Sequence, residues 1–462
     1  MLDALAAAVR RREVSSEELV RRSLDRIERL NPAIGAVVRV CAERALDEAR
    51  GIDTAVAGGA EVGPLAGLPL LVKDNEDVEG LPTTYASLLR ADAAPAPRDH
   101  EVIGRLRRAG AVVVGKTNLP EFAFEGFTDN RLFGPTRNPW APEWSPGGSS
   151  GGSGAAIAAG LAAIATGTDG GGSIRIPAAF CGYVGLKPTN GLIGRDPTPS
   201  WIDLSTKGPM AMTVADVRML LDVMRGPVAG DPTALPSWEP RRDAWPSRIV
   251  ATPRMCPYGP LPHGVAASWD RALTALADAT GLPVETVDPP FPLVIDEDWY
   301  TLVSVEERVW IGAEELDARE ADLSPSMRSS NELAKDATLG SYVAARRRRF
   351  EMVKVIDGLL AGDAILVSPT MAIEGFLADG TLPDGVSEES DAGAGMYNTA
   401  AANITGHPAI SLPAGVSMNG VPFGLMITGP RFRDDVVLAV AERWEAAQAW
   451  PLAAPGYEPF WP

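Results

Sequence analysis

The sequence predicts an α/β protein. Short apolar runs of strand-like composition, such as residues 68–73 and 423–428, alternate along the 462 residues with amphipathic segments of helical period. Alternation of this kind is typical of a β-sheet covered by helices. Hydrophobic residues make up 45% of the chain and charged residues 22%, which are ordinary values for a protein that buries a large core.

The first third of the chain predicts three helices and two strands. A capping box of Ser15 and Glu18 begins the first helix, and Asn31-Pro32 is predicted to end it. A second helix is predicted over about 38–50, and Gly58-Gly59 and Pro64 interrupt the chain before the next strand. The strand at 68–73, a helix at 100–109 and a strand at 111–114 then follow.

The rest of the chain continues the same alternation. An alanine-rich helix and a short strand lie between residues 150 and 170, and Thr213 with Asp216 caps a helix that extends to about Met224. Further predicted elements are a loop at 227–246, strands at 248–252, 364–368, 409–413 and 423–428, and helices at 265–279, 340–360 and 434–448. We expect one domain over 1–462, with a core at 60–195 and 364–448 and a substrate-shaping insert at 196–363.

Charge and composition exclude several classes of partner. The net charge is −18, whereas nucleic acids and anionic membranes require a basic surface. No window approaches the roughly 20 apolar residues of a membrane span. The N-terminal MLDALAAAVRRREV places its arginines after the apolar run, unlike a signal peptide, and the three cysteines are far apart. We therefore expect a cytoplasmic protein whose partner is a small molecule; its oligomeric state is not predicted.

The stretch from Ser145 to Thr189 is the candidate site. It contains two serines flanked by glycines, Ser149 in GGSSGG and Ser173 in DGGGSIR, on either side of an alanine-rich helix and strand. Glycines beside a reactive serine let the backbone bend sharply or approach a substrate. Three consecutive glycines, Gly170, Gly171 and Gly172, could direct their N–H groups at a developing oxyanion. A flexible linker would contain less alanine and isoleucine.

Two other motif matches suggest different chemistry. GAVVVGKT, from Gly110 to Thr117, matches the phosphate-loop pattern of nucleotide-binding proteins. Against that hypothesis, its valines form the predicted strand itself, and Asn118-Leu119-Pro120 does not begin a helix. GGSSG around Ser149 matches the nucleophile elbow of α/β-hydrolases, but residues 140–146 contain two prolines and do not resemble the strand that must precede an elbow.

A serine nucleophile needs a base, and histidine is scarce. The chain contains only His100, which begins a helix, His263, in a proline-rich loop, and His407, which is predicted to be packed or capping. No HExxH motif or His/Cys/Asp cluster suggests a metal site. Lys73 ends a buried strand, where burial would lower its pKa from about 10.4 and release a neutral amine.

These segments resemble the amidase signature family. Lys73 in PLLVKD, Ser149 in SPGGSSGGS and Ser173 in TDGGGSIRIPAAFCGYVGLKPT match its Ser–cis-Ser–Lys pattern. The resemblance extends over nearly the whole chain through GKTNLPEF, TRNPW and GHPAISLPAG. It implies the amidase signature fold, a mixed central sheet covered by helices on both faces, and amide hydrolysis without metal or cofactor.

The resemblance also implies residue roles. Ser173 would be the acylated nucleophile, Ser149 the bridging serine after a cis peptide bond, and Lys73 the general base. The other implied site residues are the oxyanion-hole glycines Gly170, Gly171 and Gly172 and the supporting Ser150, Asp169 and Arg175. The family commonly has threonine or another residue with a side chain at the position of Gly170, so this chain departs from the pattern there.

The sequence therefore predicts a serine amidohydrolase that cleaves small, neutral, linear amides, including aryl and alkyl amides, through an acyl-enzyme. The same chemistry would accept carbamates (urethanes) and esters. Two alternatives remain: the GatA-type component of a glutamyl-tRNA amidotransferase, and a phosphate-loop nucleotide-binding protein. Candidate pocket walls are the aromatic residues Phe127, Phe133, Trp201, Trp299, Tyr300 and Trp310, although each also fits a core position.

Overall fold

The computed structural model describes residues 1–236, 238–241, 243–292, 295–383 and 393–461, without the side chains of 295, 296, 393–395 and 397. Strands in this part of the chain are β1 (Val37–Val40), β2 (Pro69–Lys73), β3 (Val112–Thr117), β4 (Ile164–Asp169), β5 (Val184–Lys187), β6 (Thr206–Ala211), β7 (Ile249–Ala251), β8 (Val284–Thr286), β9 (Ile365–Pro369), β10 (Ala409–Val416) and β11 (Pro422–Thr428). They form one sheet in the order β1-β3-β2-β4-β6-β5-β10-β11-β9-β7-β8. The sheet is mixed: β2 is parallel to β3 and β4, β7 is parallel to β8 and β9, and the remaining neighbours are antiparallel.

Helices cover both faces of the sheet. They are α1 (Leu2–Arg10), α2 (Ser16–Ile34), α3 (Ala42–Ala57), α4 (Glu101–Arg108), α5 (Gly151–Ala158), α6 (Arg175–Cys181), α7 (Val214–Met224), α8 (His263–Thr280), α9 (Ile295–Ile311), α10 (Ala313–Ala318), α11 (Pro325–Asp336), α12 (Leu339–Leu359), α13 (Gly393–Thr405) and α14 (Asp434–Ala447). Alternate side chains of β2 point to opposite faces: Leu70 and Val72 share a core with α4 and α7, and Leu71 shares one with α2 and α5. The predicted α/β class is confirmed. In the described ranges, no helix is both long and apolar enough to cross a membrane.

Two N-terminal elements differ from the sequence prediction. The Ser15–Glu18 capping box is present, but α2 continues past Pro32 to Ile34 and ends at Gly35, which adopts a φ of +68°. A proline in the last turn removes one donor only, and the Gly35 N–H still reaches the carbonyl of Asn31. The predicted helix at 38–50 is wrong at its start, because Val37–Val40 forms β1 on β3 before α3 begins at Ala42.

The remaining predicted strands and helices lie within a few residues of the observed ones. The strand predicted at 111–114 extends to Thr117, so it includes Gly115 and Lys116. The division into a core and an insert over 196–363 stays a prediction; that segment supplies β6, β7 and β8 to the sheet.

The topology brings two chemistry-bearing strands together. β2 and β4 are parallel neighbours, and their last residues are Lys73 and Asp169. The carboxyl ends of parallel strands meet at one edge of a sheet, where α/β proteins form their sites. The loops that contain Ser149 and Ser173 precede α5 and α6 beside these strands.

Candidate active site

Lys73 is completely buried at the end of β2. Its Nζ donates to Ser149 Oγ over 2.8 Å and to Thr168 Oγ1 over 3.0 Å. The neighbouring Asp74 does not pair with it, because the Asp74 carboxylate lies 2.9 Å from Lys116 Nζ. Among the described residues, no carboxylate lies within ion-pair distance of the Lys73 amine.

This environment favours a neutral amine. Burial lowers the pKa of Lys73 from 10.5 to about 7, and the nearby carboxylates of Glu76 and Asp169 only partly oppose that effect. At pH 7 about half of the Lys73 side chains are therefore unprotonated, compared with fewer than about one in a thousand for a free lysine. Lys73 thus has the protonation equilibrium of a general base near neutral pH.

Ser149 lies in the loop before α5, and the Gly148–Ser149 peptide bond is cis. A Cβ atom on Gly148 would lie 2.4 Å from the Phe127 carbonyl oxygen, so glycine is required by the close approach of that backbone. The next residue, Ser150, donates its N–H to the Ser173 carbonyl over 3.1 Å and its hydroxyl to the Thr168 carbonyl over 3.4 Å. Ser150 therefore ties the two serine loops together through backbone contacts.

Ser173 lies between β4 and α6 and is 8% exposed. It lines the same cavity as Ser149. Within the part of the chain that the structure describes, its hydroxyl makes no hydrogen bond, so the two serines share a cavity without a direct bond. Catalytic hydrogen bonds are often long in a free enzyme and shorten when substrate is bound.

The glycine loop offers fewer oxyanion donors than the sequence suggests. The Gly172 N–H donates to Asp169 Oδ1 over 2.9 Å, so it is occupied and is a correction to the predicted set. The N–H groups of Gly170, Gly171 and Ser173 have no acceptor among the described residues. These three groups are the remaining candidates for an oxyanion hole.

Asp169 and Arg175 hold this loop from beneath. Both are fully buried, and Arg175 donates to the two Asp169 carboxylate oxygens over 2.8 and 3.0 Å. Asn403 Nδ2 donates to Asp169 Oδ1 over 2.8 Å. Although burial acts to raise the pKa of Asp169, the Arg175 ion pair and these hydrogen bonds lower it to about 2. The carboxylate is therefore ionised, and it orients the loop without being able to act as the base.

The departure at Gly170 has a structural reason. A Cβ atom there would lie 2.3 Å from Trp201 Cε3. At Gly171 it would lie 2.8 Å from Trp299 Cζ2, and the Trp299 indole N–H donates to the Gly170 carbonyl over 3.2 Å. Two indole rings thus occupy the space that a side chain on the loop would fill.

The cavity over the two serines has a volume of about 120 Å³. Of the aromatic residues singled out in the sequence, Trp201 and Trp310 line it. Trp299 packs edge-on against Trp201, with ring centroids 5.5 Å apart, and against Tyr300. The other two are elsewhere: Phe127 packs against Phe376, and Phe133 is 38% exposed.

The structure adds charged residues to the cavity wall that sequence analysis missed. Glu307 is buried, and burial raises its pKa from 4.5 to about 8. Lys207 lies 3.7 Å from Glu76 Oε1 and 3.5 Å from His100 Nδ1, and burial lowers its pKa. They come from β6 and from α9, a region of mixed pattern, so only the fold brings them together.

The alternative motifs do not form sites. Lys116, in the phosphate-loop match from Gly110 to Thr117, is fully buried on β3 and bound to Asp74, so the nucleotide-binding hypothesis is wrong. His407 is buried between Thr405 Oγ1 at 2.9 Å and Asp357 Oδ1 at 3.1 Å. His263 begins α8 rather than lying in a loop. Across the described ranges, no group of three His, Cys, Asp or Glu residues is placed to hold a metal ion.

Comparison with known proteins covers nearly the whole chain. The Amidase family model matches residues 18–438. The chain is 33% identical to the GatA-type component of the glutamyl-tRNA(Gln) amidotransferase of Synechococcus elongatus, over 96% of this chain and 97% of the relative, and 33% identical to an acylamidase of Rhodococcus erythropolis, over 96% and 95%. A bacterial aryl acylamidase of the amidase signature family superposes with a TM-score of 0.88 at 28% identity, covering 96% of this chain and 95% of that structure.

Proposed function

The chain belongs to the amidase signature family, and from that premise we propose that it is a serine amidohydrolase of small, neutral amides. Its fold is that of the family, and amide hydrolysis is the activity that the family supports. Aryl and alkyl amides are the proposed substrates. Carbamates and esters are further candidates, because an acyl-enzyme forms from them by the same attack on a carbonyl.

One observation carries the proposal: the Lys73 amine lies 2.8 Å from Ser149 Oγ with no carboxylate among the described residues to hold it charged. In the proposed acylation step, Ser173 Oγ attacks the amide carbonyl. Its proton passes to Ser149 Oγ while the Ser149 proton passes to Lys73 Nζ. The relay therefore needs no imidazole.

The negative charge that develops on the carbonyl oxygen needs hydrogen-bond donors. The N–H groups of Gly170, Gly171 and Ser173 are the proposed ones, and each is worth about 3–4 kcal/mol of transition-state stabilisation by analogy with measured oxyanion holes. Collapse of the intermediate breaks the C–N bond, and the proton on Lys73 returns through Ser149 to the leaving amine. Water then attacks the Ser173 ester, loses its proton along the same relay, and releases the acid.

The proposal is tested by replacing Ser173 with alanine. We expect hydrolysis of a chromogenic anilide to fall at least about a thousandfold, because the nucleophile is lost while binding remains. Ser417→Ala, in the turn between β10 and β11, is the matched control and should retain activity. Mass spectrometry after treatment with a fluorophosphonate should find the label on Ser173. A label on Ser149, or full activity of the Ser173 variant, would contradict the proposal.

A second candidate, the GatA-type component of a glutamyl-tRNA amidotransferase, is favoured by the 33% identity to such a protein. The net charge of −18 does not suit a surface for tRNA. The assay that separates the two uses the purified chain alone. Turnover of an anilide by this chain, without added partner proteins or glutamine, supports the amidohydrolase; activity that appears only with partner proteins supports the second candidate.

A further inference from the structure

A second concavity, the outer groove, adjoins the cavity over the serines. It has a volume of about 500 Å³ and lies between the segment 198–202, helix α9 and the start of α12. Its lining is largely apolar and exposed: Leu339 is 80% exposed, Val309 78%, Ile202 44% and Trp310 41%. Such exposure of neighbouring large apolar side chains marks a surface that binds something.

The outer groove is continuous with the reaction cavity. Thr198, Pro199, Ser200 and Trp310 line both. The Trp310 ring packs edge-on against Tyr85, with centroids 5.1 Å apart, and against Phe122, at 6.3 Å, both of which belong to the cavity wall. Trp310 therefore forms part of a passage from the serines to the surface.

The polar groups beside the outer groove are already paired. Glu306 Oε1 accepts from the Tyr342 hydroxyl over 2.7 Å, and Glu306 Oε2 accepts from the Ile202 N–H over 2.9 Å. Arg346 lies 3.6 Å from the same carboxylate and is also bound to Asp203. The atoms that remain to contact a ligand are mainly apolar, so an ionic ligand is disfavoured.

The size of the inner cavity gives the groove a purpose. At about 120 Å³ the cavity is smaller than the 300–1,000 Å³ pockets that enclose drug-sized ligands, so a larger amide must extend beyond it. We propose that the outer groove binds an apolar chain that continues from the scissile amide, which makes long-chain alkyl or arylalkyl amides the preferred substrates. This inference rests on the proposed amidohydrolase function and specifies its substrate class.

The test measures kcat/KM for two series of amides, one lengthened in the acyl part and one in the amine part. We expect kcat/KM to rise about two- to fourfold per methylene in at least one series once the chain reaches the groove. A double variant, Val309→Gln with Leu339→Gln, should reduce the ratio of long-chain to short-chain kcat/KM at least about tenfold. The control Met418→Gln, at a methionine 97% exposed in the turn between β10 and β11, should leave that ratio unchanged.

Binding is measured separately from hydrolysis. Fluorescent amides of increasing chain length are titrated into the Ser173→Ala variant, with and without the two glutamine substitutions. Affinity that rises with chain length and falls in the groove variant supports the inference, even if turnover is absent and the proposed function fails. Affinity independent of length overturns it. A dimer seen by light scattering that dissociates in the groove variant also overturns it, because a second copy would then cover the groove.

Discussion

Replacing Lys73 with methionine should abolish activity and stabilise the protein at the same time. Methionine keeps the shape of the buried side chain and removes the amine. Loss of a general base typically slows an enzyme about 10²- to 10⁴-fold. The gain in stability has a different origin, which is the free energy of moving a lysine from water into the interior.

The size of the gain follows from the pKa of Lys73. Folding lowers it from 10.5 to about 7, and each pKa unit corresponds to about 1.36 kcal/mol, so burial of this lysine costs about 5 kcal/mol below pH 7. The variant loses two hydrogen bonds, to Ser149 and Thr168, worth about 1 kcal/mol each. The free energy of unfolding should therefore increase by about 2–3 kcal/mol at pH 6.

The sign of the pH dependence is fixed by linkage. Between pH 7 and 10.5 the unfolded chain holds a proton on Lys73 that the folded protein has lost, so wild-type stability rises with pH in that window. The advantage of the variant is largest at or below pH 7 and should disappear before pH 10.5. Urea unfolding at pH 6 and pH 9.5, with anilide hydrolysis measured on the same samples, checks both effects.

Lys116 is the matched control. It is as deeply buried as Lys73 and lies on the adjacent strand, but its amine is 2.9 Å from the Asp74 carboxylate. Lys116→Met leaves that carboxylate buried and unpaired, which should reduce the free energy of unfolding by about 3–5 kcal/mol. The reasoning is refuted if the Lys73 variant is less stable than wild type at pH 6, or if the two variants shift stability in the same direction.

Three further expectations concern titrating groups of the site. The kcat/KM for a neutral anilide should rise with pH up to an apparent pKa near 7 and then level off, as Lys73 loses its proton; a rise centred below pH 5.5 would assign the base to another group. Glu307→Gln should raise the melting temperature at pH 7.5 but not at pH 4, because burial raises the pKa of this carboxyl to about 8 and the wild type loses stability as pH increases above 4.5; equal shifts at both pH values would contradict this. Asp169→Asn should lower the free energy of unfolding by about 3–5 kcal/mol in urea, because Arg175 stays buried without its partner; the wild-type contribution is present above pH 3.8 and lost as pH falls through about 2.

Local patterns predicted those elements whose structure depends on local forces. The capping box at Ser15 and the apolar run that ends at Lys73 are satisfied within a few residues of their own sequence. The error at 38–50 has the opposite cause: Val37–Val40 becomes a strand because β3, more than 70 residues away, offers it an edge. No pattern inside such a segment reveals a distant pairing partner.

The site shows the same limit at higher resolution. The motifs around Lys73, Ser149 and Ser173 placed all three residues at one cavity, but they did not show where each backbone donor points. Gly172 is lost as a donor because Asp169 accepts its N–H. Glu307 and Lys207 were missed because a cavity wall is assembled from segments far apart in sequence, and a single glutamate on a helix gives no signal of burial.

Three fully buried lysines separate the requirements for a base. Lys116 is paired with a carboxylate and serves the fold. Burial lowers the pKa of Lys187 to about 7, as it does for Lys73, yet its amine donates to the Pro188 carbonyl over 2.9 Å and to Asn190 Oδ1 over 3.0 Å. These are two acceptors that have no proton to give. Of the three, only Lys73 joins a lowered pKa to a hydroxyl that can pass on a proton, and that hydroxyl, on Ser149, lines the reaction cavity. A shifted pKa is therefore insufficient by itself, and the chemistry depends on what the neutral amine can take a proton from.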